Sequence, residues 1–229
     1  MRLFVIGATG RTGSEILDLA RKRGHHVTAF VRSPQKLAAD RSLTIIQGDP
    51  RRSEAIAAAL AGHDAVLSAI GPHARDFLRP STLLTDCARA TVEAMARTGI
   101  RRLAVVSAAL LFPEKGPLFA FFRWFARHHV RDLRAMEDLV KASGLDWTIV
   151  RPPRLTKASS SSFRAVSGAL PPGSLIMSFR SVAAFMLDAV ERRTHVGEIV
   201  GLGRGLGAAS WMQSSAVDRG RVSSSTASQ

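Results

Sequence analysis

The stretch "GATGRTG", residues 7–13, decides how this chain folds. It follows a short apolar run, Leu3 to Ile6, and opens the segment "TGSEILDLARKRG", in which Ile16, Leu17 and Ala20 share one helical face. Strand, glycine-rich turn and helix in that order make a seat for a phosphate. Gly7, Gly10 and Gly13 clear side chains from its path, and the free N–H groups of the helix start, with the positive end of its dipole, bind the anion. Thr9, Arg11 and Thr12 complete that loop. Glycines at such spacing also serve turns and tight packing, so the flanking strand and helix carry the inference rather than the glycine count.

Working outward, the pattern alternates. "HVTAFV" is a second strand, followed by a short helix from Ser33 through Leu37, and "LTIIQ" is a third. "SEAIAAAL" is a helix with Ser53 at its N-cap, and "AVLSAI" is a fourth strand. "STLLTDCARATVEAMARTG" is a long helix closed by Gly99. "RLAVVS", the helix "RDLRAMEDLVKASG" and the strand "DWTIV" continue the series. Such βα units need crossover connections, and they produce an α/β Rossmann-like, doubly wound parallel sheet with helices on both faces. Beyond Pro152 the regularity falls: "TKASSSSF" has the composition of a loop, "SVAAFMLDAV" is a helix capped by Ser181, and "GEIVGL" is a last strand. A domain over 1–202 with a small C-terminal substrate-side region is expected, and the Gly- and Ser-rich residues 203–229 are expected to be a disordered tail.

The second strand selects the dinucleotide. A site for NAD usually ends this strand with Asp or Glu, which holds the ribose hydroxyls. Here "FVRSPQK" places Arg32 and Ser33 at that point and Lys36 a turn onward. A guanidinium forks onto a 2′-phosphate, so NADP(H) is preferred over NAD(H), which stays open as an alternative. The bland alternative is that Arg32 is one more solvated arginine in an arginine-rich chain.

With those residues in view the chain resembles the atypical short-chain dehydrogenases/reductases. More closely, it resembles the NAD(P)H-binding group that includes flavin reductases of the biliverdin reductase B type and NmrA-like proteins. "FVIGATGRTG", "VTAFVRSPQKL", "IIQGDP", "DAVLSAIGP", "AVVSAALL" and "MEDLVKASGLDWTIVRPPRL" carry the resemblance, roughly over residues 3–157, and "SVAAFMLDAV" extends it to about 190. The resemblance implies that Asp49 faces the adenine and that Ala69, Ile70 and Gly71 line the diphosphate and ribose. It places Ser107 beside the nicotinamide and closes Pro153, Arg154 and Leu155 over the far side. It also implies an oxidoreductase, or alternatively a sensor or regulator that binds the nucleotide without turnover. For each of these residues a strand end or a turn is the plainer explanation.

The sequence contains no tyrosine. In most short-chain dehydrogenases a Tyr-x-x-x-Lys pair protonates the substrate oxygen, and alignment of "LRAMEDLVKASG" puts His129 near the tyrosine place and Leu133 near the lysine place. Hydride transfer survives that loss, because the cofactor carries the hard chemistry and a flavin-like or quinone-like acceptor takes its proton from water. His129 is a candidate general acid, since its pKa is tunable near neutrality. Asp132 and Glu137 remain on the same helix, either solvated or paired with Arg131 or Arg134.

Six of the fourteen Phe and Trp residues lie between Phe112 and Phe125, just beyond Ser107. They line a flat apolar acceptor pocket, pack as core or subunit contact, or rest with Arg123, Arg127 and Arg131 on an anionic membrane surface.

Composition sets the outer bounds. At 229 residues the chain can bury one sizeable core, and 46% hydrophobic content fits a globular domain. The net charge of +14 is spread along the whole chain, which argues against a nucleic-acid-binding stripe while favouring anionic ligands. The lone Cys87 excludes an internal disulfide framework, lacks partners at metal-ligand spacing and is expected to be a small buried apolar residue. With no secretory signal and no apolar run of spanning length, a cytoplasmic protein with a small-molecule partner is expected.

Overall fold

The structure, a computed structural model, describes residues 1–38, 41–71, 79–113 and 124–204. Strands β1 (Arg2–Ile6), β2 (His26–Val31), β3 (Leu43–Gln47), β4 (Ala65–Ser68), β5 (Arg102–Val106), β6 (Asp146–Arg151), β8 (Phe163–Ser167) and β10 (Glu198–Arg204) form one sheet in the order β3-β2-β1-β4-β5-β6-β10-β8. Every pairing is parallel except β8 with β10. A small second sheet pairs β7 (Arg154–Thr156) with β9 (Ile176–Ser178). The helices are α1 (Arg11–Lys22), α2 (Ser53–Leu60), α3 (Leu83–Thr98), α4 (Arg127–Lys141) and α5 (Phe179–Glu191).

Alternation along the central strands splits the core in two. Leu3 and Val5 of β1 point into one apolar layer with Ile16 of α1 and Val182, Phe185 and Met186 of α5. Phe4 and Ile6 point into the other, with Ile56 of α2, Met95 of α3 and Leu133, Met136 and Val140 of α4. The central strands are therefore buried on both faces, which is why they carry unbroken apolar runs. This is a Rossmann-like doubly wound fold. The chain runs outward from β1 to β3 and then returns to the other side of β1 as β4, so a crevice opens at the carboxyl ends of β1 and β4, where folds of this kind seat ligands.

Several local expectations shift. The N-cap of α2 is Arg52, and Ser53 is the first helical residue. α5 begins two residues before Ser181, and the cap is Ser178, whose Oγ accepts from the Ser181 N–H at 2.8 Å. The segment from Ser33 to Leu37 is a single 3-10 turn, Pro34–Lys36. Strands β7, β8 and β9 lie beyond Pro152, where the sequence predicts no strand before β10. Serines stitch them down: Ser181 Oγ donates to Ser162 O at 2.7 Å and to Ser160 O at 3.0 Å. Gly99 closes α3 in the left-handed conformation as expected, and Cys87 is buried in its middle. Strand β10 runs two residues past Leu202, and residues 205–229 of the expected tail lie outside the described residues.

Arg102 locks the far end of the sheet. It is buried at the start of β5 and donates to Asp146 O at 2.7 Å, Ala189 O at 2.8 Å and Thr194 O at 3.0 Å. It thereby satisfies the exposed carbonyl end of α5, and burial pushes its pKa down to about 10.

Candidate functional site

The glycine loop sits at the crevice. Gly7 ends β1 at φ 81°, and a Cβ there would lie 2.7 Å from the Ala69 carbonyl oxygen, so β4 approaches β1 only because this residue is glycine. At Gly13 a Cβ would lie 2.2 Å from Gly7 O, so the third glycine lets α1 press onto the loop. Gly10 differs: a Cβ there would meet Gly7 O at 3.1 Å and Ala69 O at 3.8 Å, and no other atom of the described residues lies within 4 Å. The first and third glycines thus answer the fold's own packing, and the second leaves the backbone open to a ligand. No side chain caps α1, and no acidic residue stands in its first turn. This is a cradle that fits a pyrophosphate.

Around it the other candidates take their places. Thr9 is exposed and Thr12 is buried against the loop. The Arg11 guanidinium lies over the Phe179 ring at 5.6 Å. Arg32 is exposed directly after β2, with Ser33 half-buried and Lys36 exposed behind it. Asp49 follows β3, and Gly48 before it is required because a Cβ would meet the Phe30 ring at 2.1 Å. The Asp49 carboxylate is already engaged by Arg51, at 2.6 Å to Oδ2 and 3.0 Å to Oδ1. That guanidinium, with Arg32 farther off, holds the Asp49 carboxyl below the usual range. Arg51 was not singled out in the sequence, although an arginine two residues after a strand-end aspartate is well placed to pair with it.

Beyond β4, Ala69 and Ile70 are half-buried and Gly71 is exposed. Among the described residues nothing lies within 4 Å of where a Gly71 side chain would begin. Pro153 leads into β7, which Arg154 and Leu155 begin. The segment is tied to the loop after β5 through a bond from Ala109 N to Pro152 O at 2.8 Å.

Ser107 ends β5 and is 7% exposed. Its N–H donates to Val150 O at 2.7 Å, and its hydroxyl donates to Glu137 Oε1 at 2.5 Å. Glu137 is 1% exposed and faces a fork from Arg151, Nε to Oε1 at 2.9 Å and Nη2 to Oε2 at 2.6 Å. The Arg151 guanidinium lies over the Phe112 ring at 4.7 Å. The expected partners of Glu137, Arg131 and Arg134, are therefore replaced by an arginine on the neighbouring strand. Asp132 is likewise buried rather than solvated, and among the described residues it bonds to α3. It accepts from Leu84 N and Thr85 N, both at 3.0 Å, and so caps the start of α3. Leu133, at the usual lysine place, is buried in the core.

His129 is half-buried on α4, and that burial pushes its pKa below the ordinary value, with Asp132 opposing the shift. It is therefore neutral at neutral pH. A histidine acid would give activity that rises as pH falls through a value below about 6.5. We expect His129→Gln to keep activity within about threefold at pH 7 and to leave the pH profile above 6.5 unchanged; loss of an acidic limb in that variant would make His129 the acid. Of the aromatic cluster, Phe112 is buried while Trp124 and Phe125 are exposed, and Phe119, Phe121, Phe122 and Arg123 lie outside the described residues.

The profile of a family described as NAD(P)H-binding matches residues 7–193. The chain belongs to this NAD(P)H-binding family. A Bacillus subtilis member of the curated proteins, described as an uncharacterized sugar epimerase, is 32% identical over 161 residues, covering 66% of this chain and 71% of that protein. A Rossmann-fold NAD(P)-binding family protein from Shigella flexneri superposes with a TM-score of 0.70 at 26% identity, covering 89% of this chain and 93% of that one. A Streptococcus pneumoniae protein described as a candidate NADH-flavin reductase superposes equally well, TM-score 0.70 at 25% identity, covering 89% and 99%. Among the described residues no helix is long and apolar enough to cross a membrane.

Proposed function

We propose that this NAD(P)H-binding protein is an NADPH-dependent reductase that passes hydride to a conjugated small molecule, flavin-like or quinone-like. The observation that carries the reading is the pairing of an open cradle at Gly10 with a site lacking any tyrosine and with Leu133, at the lysine place, sunk in the core. Gly7, Gly10 and Gly13 with the start of α1 hold the pyrophosphate. Arg32, helped by Ser33 and Lys36, holds the 2′-phosphate, and Asp49 with Arg51 borders the adenine. Ala69, Ile70 and Gly71 line the ribose, while Ser107 and Pro153 to Leu155 flank the nicotinamide. When bound, the reduced nicotinamide supplies the hydride, and the acceptor takes its balancing proton from water. The candidate flavin-reductase description of the similar Streptococcus pneumoniae protein supports this class of acceptor.

The experiment is NADPH oxidation, followed at the nicotinamide absorbance, against flavins, quinones and aldehydes. Flavins or quinones should consume NADPH and aldehydes should not. Tight NADPH binding with no turnover on any acceptor would replace this reading by that of a redox sensor. The cofactor preference has its own test. Arg32→Ala should weaken NADPH by about 1.5–3 kcal/mol, the range for a charge-assisted hydrogen bond, and leave NADH nearly unchanged. Equal losses for both nucleotides in calorimetric titration, or parity in the parent protein, would remove the NADPH preference.

A further inference from the structure

Ser107 stands at the strand end where the ligand is expected, yet its one proton is already spoken for. A carboxylate offers acceptors only, so in the 2.5 Å contact with Glu137 Oε1 the serine must be the donor. That carboxylate is not free to turn away. Both its oxygens are gripped by the Arg151 fork at 2.9 and 2.6 Å, the guanidinium is backed by Phe112, and Glu137 is 1% exposed. The Ser107 backbone is fixed as well, through its N–H bond to Val150 O. What Ser107 can offer to the crevice is a pair of lone pairs.

We infer that Ser107 meets its ligand as a hydrogen-bond acceptor, with Glu137 and Arg151 as the positioning residues that set this polarity. The site then selects a conjugated heterocycle that presents a ring N–H over one that presents only carbonyl oxygens. A carbonyl oxygen brought to Ser107 would set lone pair against lone pair, and developing negative charge there would find no donor in this serine. An imide or lactam N–H of a flavin-like ring would complete the chain N–H to Ser107 to Glu137 to Arg151, in which each bond polarises the next. This rests on the reductase reading and narrows its acceptor from "flavin-like or quinone-like" to the former.

The test compares lumiflavin, which carries a ring N3–H, with 3-methyllumiflavin, which lacks it, and with menadione, which has carbonyl oxygens alone. Binding is read by quenching of flavin fluorescence in the presence of NADP⁺, and turnover by NADPH oxidation. The parent should bind lumiflavin about tenfold more tightly than its methyl analogue, the size of one hydrogen bond. Ser107→Ala should erase that difference, bringing the KM for lumiflavin up to that of its methyl analogue. A merely structural role for Ser107 would depress all three acceptors together. Equal binding of the two flavins by the parent, or a preference that survives Ser107→Ala, overturns the inference while leaving the reductase reading standing. No binding and no turnover with any acceptor overturns both.

Discussion

Gly10→Asp is expected to abolish nucleotide binding while leaving the protein folded. A Cβ at this position meets Gly7 O at 3.1 Å, which a shift of a few tenths of an ångström relieves, and Ala69 O at an ordinary 3.8 Å. The new carboxylate then stands where the pyrophosphate must lie. Two like charges about 4 Å apart at an effective dielectric of about 20 repel by roughly 4 kcal/mol, or about a thousandfold in affinity. Calorimetric titration with NADPH, beside a circular dichroism spectrum and a melting curve, checks both halves of the claim. Gly13→Asp is not an equivalent test, because a side chain there would strike Gly7 O at 2.2 Å and damage the fold itself. A folded Gly10→Asp protein with parental NADPH affinity would mean that the phosphate seat lies elsewhere.

The second large effect is on stability. Glu137→Ala removes a carboxylate that is 1% exposed and leaves the Arg151 guanidinium, whose side chain is 12% exposed, without its counter-charge. Breaking a buried pair from one side costs about 3–5 kcal/mol, far more than the fraction of a kcal/mol typical of an exposed pair. Urea denaturation should show that loss. The double variant Glu137→Met/Arg151→Met should recover much of it, since no orphaned charge then remains. A loss below about 1 kcal/mol would mean that water reaches the pair and screens it as it does a surface bridge.

The sequence made some parts of this protein legible and hid others for physical reasons. The parallel sheet covered on both faces follows from repeated βα units, and the glycine loop from its flanking strand and helix, because both signals are local. Strands β8 and β9 were not legible. Their residues, broken by a serine run and by the turn at Pro171 to Gly173, show no clean alternation, and they are held by pairing with β10 and β7 and by the Ser178 and Ser181 hydroxyls, the latter bonded to the Ser160 carbonyl. The Glu137–Arg151 pair hid because its members belong to different elements, α4 and β6. A signal for it did exist: Val130, Leu133, Glu137 and Val140 share one helical face, and three of the four are apolar core residues. An acid at such a position has to find a buried partner. Asp132 gave a weaker hint, since its service as a cap for α3 depends on contacts 47 and 48 residues away in sequence.

The proposed chemistry is tested most directly by mixing NADPH-loaded protein with riboflavin in the absence of oxygen and following both chromophores. Nicotinamide and flavin absorbances should fall together in equal amounts, faster with NADPH than with NADH, and not at all with Gly10→Asp. Absorbances that stay constant over a protein shown to bind NADPH would contradict it.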